Sequence, residues 1–74
     1  MKTLSELPMG KEAVLSSLEG DPDLVNRLMD MGLHPGSRIE YVNRMLGKGP
    51  FIIRFGSTLL ALREEEALCL KVIV

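Results

Sequence analysis

The single histidine of this chain, His34, is the residue type most often used to bind transition metals, so its neighbours decide whether a metal site is expected. A site of this kind needs two or more further ligands at fixed spacing. The nearest carboxylates in the sequence, Asp23, Asp30 and Glu40, do not form a ligand motif with it. We therefore expect His34 to be an exposed turn residue, with a role as a specific ligand as the alternative.

The single cysteine, Cys69, excludes an intrachain disulfide and a cysteine-based zinc site. No histidine or helix N-terminus lies beside it in the sequence to lower the pKa of its thiol, which argues against nucleophilic catalysis. Free cysteines are most often small buried hydrophobic residues. We expect Cys69 to be one of them.

Two further groups of residues could bind a cation. The run 64–66 offers three glutamates, but consecutive side chains point in different directions and a hard cation needs converging oxygens. Met9, Met29, Met31 and Met45 offer thioethers, which suit Cu(I) better than Fe(II). We expect a solvated turn and core-filling methionines. The sequence thus predicts no metal site and no firm cofactor, and leaves weak binding of a divalent transition metal open.

Nucleic-acid binding is not expected, because nine basic and ten acidic residues give a net charge of −1. Small barrels that bind RNA usually stack bases on aromatic side chains, whereas Phe51 and Phe55 fall on the apolar face of a predicted strand. The basic side chains of the predicted strands and hairpin are scattered: Arg38, Arg44, Lys48, Arg54 and Arg63.

An enzyme is not expected either. No carboxylate pair with the spacing of a catalytic acid and base and no Ser–His–Asp order stands out in the sequence. The run 47–49 is too short for a phosphate-binding loop and precedes no helix. The 74 residues predict a single domain, 1–74. The N-terminal residues lack the apolar region of a signal peptide, and no apolar run is long enough to span a bilayer, so we expect a cytoplasmic protein.

The helix signals are specific. Asp21 and Pro22 predict a helix start, and Gly32 predicts its end in the left-handed region. Between them Leu24, Leu28 and Met31 form one apolar stripe, widened by Val25 and Met29. Leu33 is expected to pack back onto the helix beyond the cap.

The remaining segments predict a mainly β fold. Residues 11–18 fit a strand between two glycines, with a helix as the alternative. Pro35 and Gly36 predict a type II turn. Strands are then expected over 38–44, 51–55, 58–62 and 68–74, with a hairpin loop at 46–50 and one helical turn at 63–67. Within each of three strands, alternation places the following residues on one shared face: Ile39 and Tyr41; Phe51, Ile53 and Phe55; and Leu68, Leu70, Val72 and Val74. About five strands and one short helix fit a small closed or nearly closed barrel, because closure removes exposed strand edges.

Several short motifs, in order, resemble the FeoA family, the small cytosolic component of bacterial ferrous-iron uptake. These are Arg27-Leu28, Met31-Gly32-Leu33, Pro35-Gly36-Ser37, Gly49-Pro50, Phe51 to Gly56, Leu60-Ala-Leu-Arg63, Glu66-Ala67 and Val72. The resemblance runs from about Leu7 to Val74 and implies an SH3-like β-barrel. The same pattern occurs at the C-terminus of DtxR-type metal-dependent repressors. Lys48-Gly49-Pro50 departs from the family, which usually has an acidic residue before this proline.

The resemblance implies a protein partner, a FeoB-type membrane transporter with a GTPase domain, and places this chain at the membrane through that partner alone. The residues expected to bind it lie on the helix, its exit turn and the hairpin: Arg27, Leu28, Met31, Leu33, His34 and Lys48. For Leu28, which lies on the apolar stripe of the helix, a place in the core is the alternative and is favoured.

The sequence is compatible with two other functions. One is a stand-alone metal-sensing or regulatory module, related to the C-terminal domain of the metal-dependent repressors. A small-barrel RNA binder is another. Exposed apolar residues on the last strand could also pair two barrel edges, which would make the protein a homo-oligomer.

Overall fold

The computed structural model describes residues 2–44 and 49–74 and is built mainly from strands. In chain order the elements are β1 (Lys2–Thr3), a 3-10 turn (Leu4–Glu6), β2 (Glu12–Leu18), α1 (Pro22–Asp30), β3 (Arg38–Arg44), β4 (Phe51–Phe55), β5 (Thr58–Leu62), α2 (Glu64–Ala67) and β6 (Leu70–Ile73). The strands form one antiparallel sheet in the order β1-β6-β2-β3-β4-β5. The predicted mainly β fold with one principal helix is confirmed.

The sheet has one strand more than the sequence indicates, because β1 is only two residues long and too short for an alternating pattern. Lys2 pairs with Val72 and Thr3 with Lys71, so β1 extends the sheet beyond β6. The helical turn expected near residue 65 is α2.

Strand β2 settles the alternative left open for residues 11–18 in favour of the extended conformation. Ala13 and Leu15 point into the core. The register shifts between Leu15 and Ser17, where β2 bulges against β6. A bulge lets one strand pair on both sides while it bends, which a small curved sheet requires.

The faces predicted for β3 and β4 are confirmed. Ile39, Tyr41, Phe51 and Ile53 are all at most 5% exposed, and the Tyr41 and Phe51 rings lie 5.4 Å apart at a tilted angle. A second bulge falls between Tyr41 and Asn43. Both strands therefore present one continuous apolar face to the interior.

The core lies between this sheet, the 3-10 turn and α1. Its buried hydrophobic residues are Leu4, Leu7, Ala13, Leu15, Leu28, Leu33, Ile39, Tyr41, Phe51, Ile53, Leu62, Ala67, Cys69, Leu70 and Val72. On the last strand only Leu70 and Val72 are buried. Leu68 and Val74, expected on the same face, are 50% and 60% exposed, because both lie outside the short β6 ladder.

The prediction that methionines fill the core is wrong for the three that the structure describes. Met9 is 61% exposed, Met29 41% and Met31 36%, while Met45 lies outside the described residues. The apolar stripe of α1 is accordingly narrower than its spacing indicates, since Leu28 is its one fully buried residue.

Within residues 2–44 and 49–74, neither helix has the length and apolar character needed to cross a bilayer.

Candidate partner-binding surface

The start of α1 is fixed by the residues predicted for it. The Asp21 side chain accepts a hydrogen bond of 3.0 Å from the Asp23 main-chain N–H, and Pro22 follows at the first helical position. The carboxylate satisfies one of the helix's unpaired N–H groups, and proline needs no partner there.

The end of α1 forms a Schellman motif, as the prediction for Gly32 and Leu33 requires. Gly32 has φ +107° and donates to the Met29 carbonyl at 3.0 Å, while Leu33 donates to the Leu28 carbonyl at 3.2 Å. Leu28 and Leu33 are both completely buried, which supplies the hydrophobic contact of this motif. The main-chain groups of the helix exit are therefore largely paired internally.

The turn after the helix is held by its own bonds and by β2. The His34 carbonyl accepts from the Ser37 N–H at 2.9 Å, and Gly36 has φ +94°, as the predicted type II turn needs. Gly36 donates to the Leu15 carbonyl at 2.7 Å, and Leu15 donates to the Ser37 carbonyl at 2.8 Å. His34 is exposed, as expected, on a turn that is tied firmly to the sheet.

Three of the six residues expected to bind a partner are exposed at this place: Arg27, Met31 and His34. We call these three residues the helix-exit surface. Leu28 and Leu33 are 0% exposed, so their assignment to the surface is corrected and the core alternative holds for Leu28. The apolar side of the helix has to cover the sheet, and these two leucines do so.

The hairpin residue in the expected set, Lys48, lies outside the described residues, as do residues 45–47 of the predicted hairpin loop. At the base of the hairpin, the Arg44 guanidinium lies 4.2 Å from the centre of the Phe51 ring, and its Nε donates to the Gly49 carbonyl at 3.2 Å. The same side chain reaches Glu64 at 3.5 Å and so connects the hairpin base to α2.

Two of the scattered basic residues have a carboxylate partner. Arg44 is paired with Glu64, and the Arg54 guanidinium lies 2.9 Å from Glu40 on the neighbouring strand. Arg27 takes part in neither of the two ion pairs found among the described residues, and it lies in the last turn of α1, where the helix dipole favours a cation. Its charge is thus available to an acidic group on a partner.

The glutamate run is not a solvated turn throughout, which corrects the expectation for Glu66. This residue is 7% exposed, and its Oε1 accepts a hydrogen bond of 2.8 Å from the Arg63 main-chain N–H at the start of α2. A carboxylate three residues into a helix commonly reaches back in this way, so Glu66 has a structural role as a cap.

Cys69 is 4% exposed, as predicted, and its Sγ donates to the Glu65 carbonyl at 3.3 Å. Burial raises the pKa of the Cys69 thiol, and the carboxylates of Asp21 and Glu66 raise it further. The thiol is therefore protonated at neutral pH and is poorly suited to act as a nucleophile.

In residues 2–44 and 49–74 there is no group of three or more His, Cys, Asp or Glu side chains arranged to hold a metal ion.

An exposed apolar residue that the sequence pattern missed is Leu59, which is 59% exposed on β5. The segment 58–62 is apolar on both faces, a pattern that is typical of a strand covered on both sides. β5 instead lies at the end of the sheet. The only indication in the sequence was that this segment has no charged residue, and that feature does not distinguish an edge strand from a central one.

The fold and these motifs agree with the comparison to known families, in which the model of the FeoA domain matches residues 2–74. The chain belongs to the FeoA family. Among solved structures it resembles the zinc complex of Stenotrophomonas maltophilia FeoA, described as an SH3 domain protein, with 31% identity over 99% of this chain and 91% of that one and a TM-score of 0.86. The resemblance seen in the sequence and the SH3-like fold that it implies are confirmed.

A second FeoA-family structure, iron(II) transport protein A from Clostridium thermocellum, is 33% identical over 99% of this chain and 45% of that one, with a TM-score of 0.89. A manganese-dependent transcriptional repressor matches 97% of this chain with 40% of its own length, at 18% identity and a TM-score of 0.88. That likeness shows a common fold. A comparison with curated protein sequences gives no significant match.

Proposed function

We propose that this FeoA-family chain is a non-enzymatic accessory protein of bacterial ferrous iron uptake. It binds the cytosolic part of a FeoB-type transporter, next to its GTPase domain, and modulates the transporter's activity. Family membership over residues 2–74 is the observation that carries the proposal. The S. maltophilia relative is itself described as a candidate activating factor of ferrous iron transport.

The contact is proposed at the helix-exit surface. Arg27 and Met31 stand four residues apart and so share one side of the helix end, and His34 follows on the anchored turn. The Schellman motif and the bonds to β2 hold this surface in one conformation before binding, which lowers the entropy lost on association. It offers a cation, an apolar thioether and an imidazole to a partner.

The test is a pull-down from solubilised membranes of the source organism with this chain as bait, followed by mass spectrometry. Arg27→Glu serves as the surface variant and Lys11→Glu as its matched control, because both replace an exposed cation by an anion. We expect the wild type and the control to retain a FeoB-type transporter and Arg27→Glu to lose it. Circular dichroism should show the three proteins equally folded.

Two results would contradict the proposal. Retention of no membrane transporter by the wild type, in an experiment that recovers a known bait–prey pair, would remove the partner. Equal retention by Arg27→Glu and the wild type would keep the partner but move the contact away from the helix-exit surface.

A metal-sensing or regulatory module is the second candidate, favoured by the fold shared with the manganese-dependent repressor and by the zinc complex of the S. maltophilia relative. Titration calorimetry with Mn²⁺, Fe²⁺ and Zn²⁺ decides between the two. Saturable micromolar binding of one ion per chain would support the sensor, and flat titrations would eliminate it.

A further inference from the structure

The outer side of β5 is a strand edge that no other strand covers among the described residues. A two-residue turn, with Gly56 at φ +61° as primed hairpin turns require, joins β5 to β4. The pair that closes such a turn, Phe55 and Thr58, exchanges both hydrogen bonds, and the ladder alternates from there. The N–H and C=O groups of Leu59 and Ala61 therefore point away from β4, toward the open edge.

The side chains of β5 do nothing to protect this edge. Edge strands are usually shielded by lysine, proline or a bulge, and the five residues Thr58–Leu62 contain none of these. Leu62 is buried and Leu60 is half-buried, so the strand is fixed to the core by one face. Leu59 and Ala61 are exposed on the other face.

The last strand, in contrast, has no open side. β6 is paired with β1 on one side and with β2 on the other, so the expectation that it could join two barrels edge to edge is corrected. Ile73 and Val74 are exposed at the end of β6, but β1 and β2 occupy both of its neighbouring positions in the sheet, whereas β5 has a neighbour on one side only.

We propose that β5 pairs antiparallel with β5 of a second copy of this chain. The two-fold axis passes between Leu60 and Leu60 of the partner subunit. Leu59 then lies opposite Ala61 of the partner subunit, and Ala61 opposite Leu59 of the partner subunit. Residues 59 and 61 both present free main-chain groups at this edge, so each of these pairs exchanges both of its hydrogen bonds.

The side chains of this register are complementary. Ala61 lines a shallow depression with Gly49, Pro50, Arg63, Glu64 and Glu65, and Leu59 of the partner subunit falls beside Ala61. A large apolar side chain is thereby placed against a small residue and an open depression. Arg63 lies opposite Ser57 of the partner subunit, so no like charges face each other along the paired strands.

The occupant is identified by this self-complementarity. An antiparallel two-fold pairing is isologous, which means that the same patch serves both subunits. The sequence of β5 satisfies that condition without a charge conflict or a blocked hydrogen bond. A five-residue pairing buries little surface, so the dimer should form at high protein concentration and dissociate on dilution.

The first test measures molecular mass by light scattering across a concentration series. The wild type is expected to rise from 8.2 kDa toward twice that mass. Leu59→Lys places a charge on the edge and should weaken dimerisation by about tenfold or more. Ile73→Lys is the matched control, because Ile73 is 56% exposed on β6, close to the 59% of Leu59, and it should dimerise as the wild type does.

The second test reads the register through disulfide trapping. Residues of a hydrogen-bonded antiparallel pair have Cα atoms about 5.5 Å apart, within the range that a disulfide spans. Leu59→Cys mixed with Ala61→Cys should therefore give cross-linked dimers under mild oxidation. Each variant alone should not, because a residue and its own copy lie two positions out of register, more than about 7 Å apart. Cys69 is buried and should not cross-link in the wild type.

A mass of 8.2 kDa at every concentration, together with no cross-linking in the mixture, would overturn the proposal. A dimer that survives Leu59→Lys, or cross-linking within either single variant, would overturn it as well by placing the interface or register elsewhere. These outcomes are independent of whether a transporter is bound.

Discussion

The helix exit and the β5 edge both expose apolar side chains, but they differ in the state of their main chain. At the helix exit, Gly32 and Leu33 donate back into the last turn of α1, and the following turn is bonded to β2. At β5, the main-chain groups of Leu59 and Ala61 point away from the sheet. The first region can be recognised only through side chains, and the second also through strand pairing.

This difference predicts that substitutions in the two regions have different effects on stability and on association. The helix exit depends on a few buried residues and special main-chain angles, so single substitutions there should cost stability. Exposed residues of the β5 edge support no packing, so substitutions there should change association and leave stability unchanged. The experiments below follow this contrast from the largest expected effect to the smallest.

Leu28→Ala should have the largest effect, because Leu28 is 0% exposed and packs with Leu33 behind the helix exit. Deleting a buried leucine side chain typically costs about 2–5 kcal/mol. Urea denaturation followed by circular dichroism measures it. Met31→Ala, in the exposed part of the same turn, should stay within about 0.5 kcal/mol of the wild type. Equal losses for the two variants would contradict the division into core and surface.

Gly32→Ala should come next, at about 1–2 kcal/mol, because its φ of +107° is unfavourable for any residue with a Cβ. The new Cβ would also lie 3.4 Å from Cε2 of Phe55. Gly10→Ala is the control, since Gly10 has φ +87° and open space around it. A smaller loss for Gly10→Ala than for Gly32→Ala is expected, because Gly32 has both the larger φ and the neighbouring Phe55 ring. The reverse order would show that this contact is unimportant.

Asp21→Ala should cost about 1 kcal/mol through loss of the hydrogen bond to the Asp23 N–H at the other end of the helix. Asp21→Asn keeps an acceptor oxygen and should restore most of the stability. If asparagine failed to rescue, the carboxylate would be acting through its charge instead of the cap.

Cys69 should make the free energy of unfolding depend on pH in the alkaline range, but not near neutral pH. Because burial raises the pKa of its thiol, the folded state holds the proton more tightly than the unfolded state does. The stabilisation is complete below the unfolded pKa, close to 9, and is lost as pH rises through the higher folded value. Urea titrations at pH 7 and pH 10 should show a larger loss for the wild type than for Cys69→Ala. Equal losses for the wild type and Cys69→Ala would mean that groups other than Cys69 cause the loss of stability at pH 10.

Leu59→Lys should have the smallest effect on folding, within about 0.5 kcal/mol of the wild type at a protein concentration where the chain is monomeric. The same variant is the one expected to weaken dimerisation. Thermal melting at low concentration measures the first effect and light scattering the second. A large loss of stability in the monomer would show that the edge is packed against part of the chain, contrary to the 59% exposure of Leu59.

Much of the candidate surface could be predicted from local sequence. Asp21, Gly32 and Gly36 act through the angles and hydrogen bonds of their own turns, so their roles follow from residue type and neighbours. The exposure of His34 follows in the same way from its place beside Pro35. The burial of Leu28 and Leu33 was harder to assign, because the motif that ends a helix also contains the residues that could face a partner.

The burial of Glu66 and the exposure of Met29 and Met31 could not be predicted, because both depend on what packs against the segment. The run 64–66 is charged in sequence, yet one carboxylate is enclosed when it caps α2. Met29 and Met31 fit an apolar stripe, but in this segment it is Leu28 and Leu33, with Leu24 partly buried beside them, that join the core.

The sequence by itself determined where α1 starts and stops, the type II turn after it, and the inward faces of β3 and β4. Each of these follows from interactions within a few residues or from an alternating pattern. The tertiary structure alone decided that β1 is a strand, that β6 lies inside the sheet, and that β5 lies at its edge. Strand order depends on contacts between distant segments. An apolar strand has the same sequence pattern whether or not a neighbouring strand covers it.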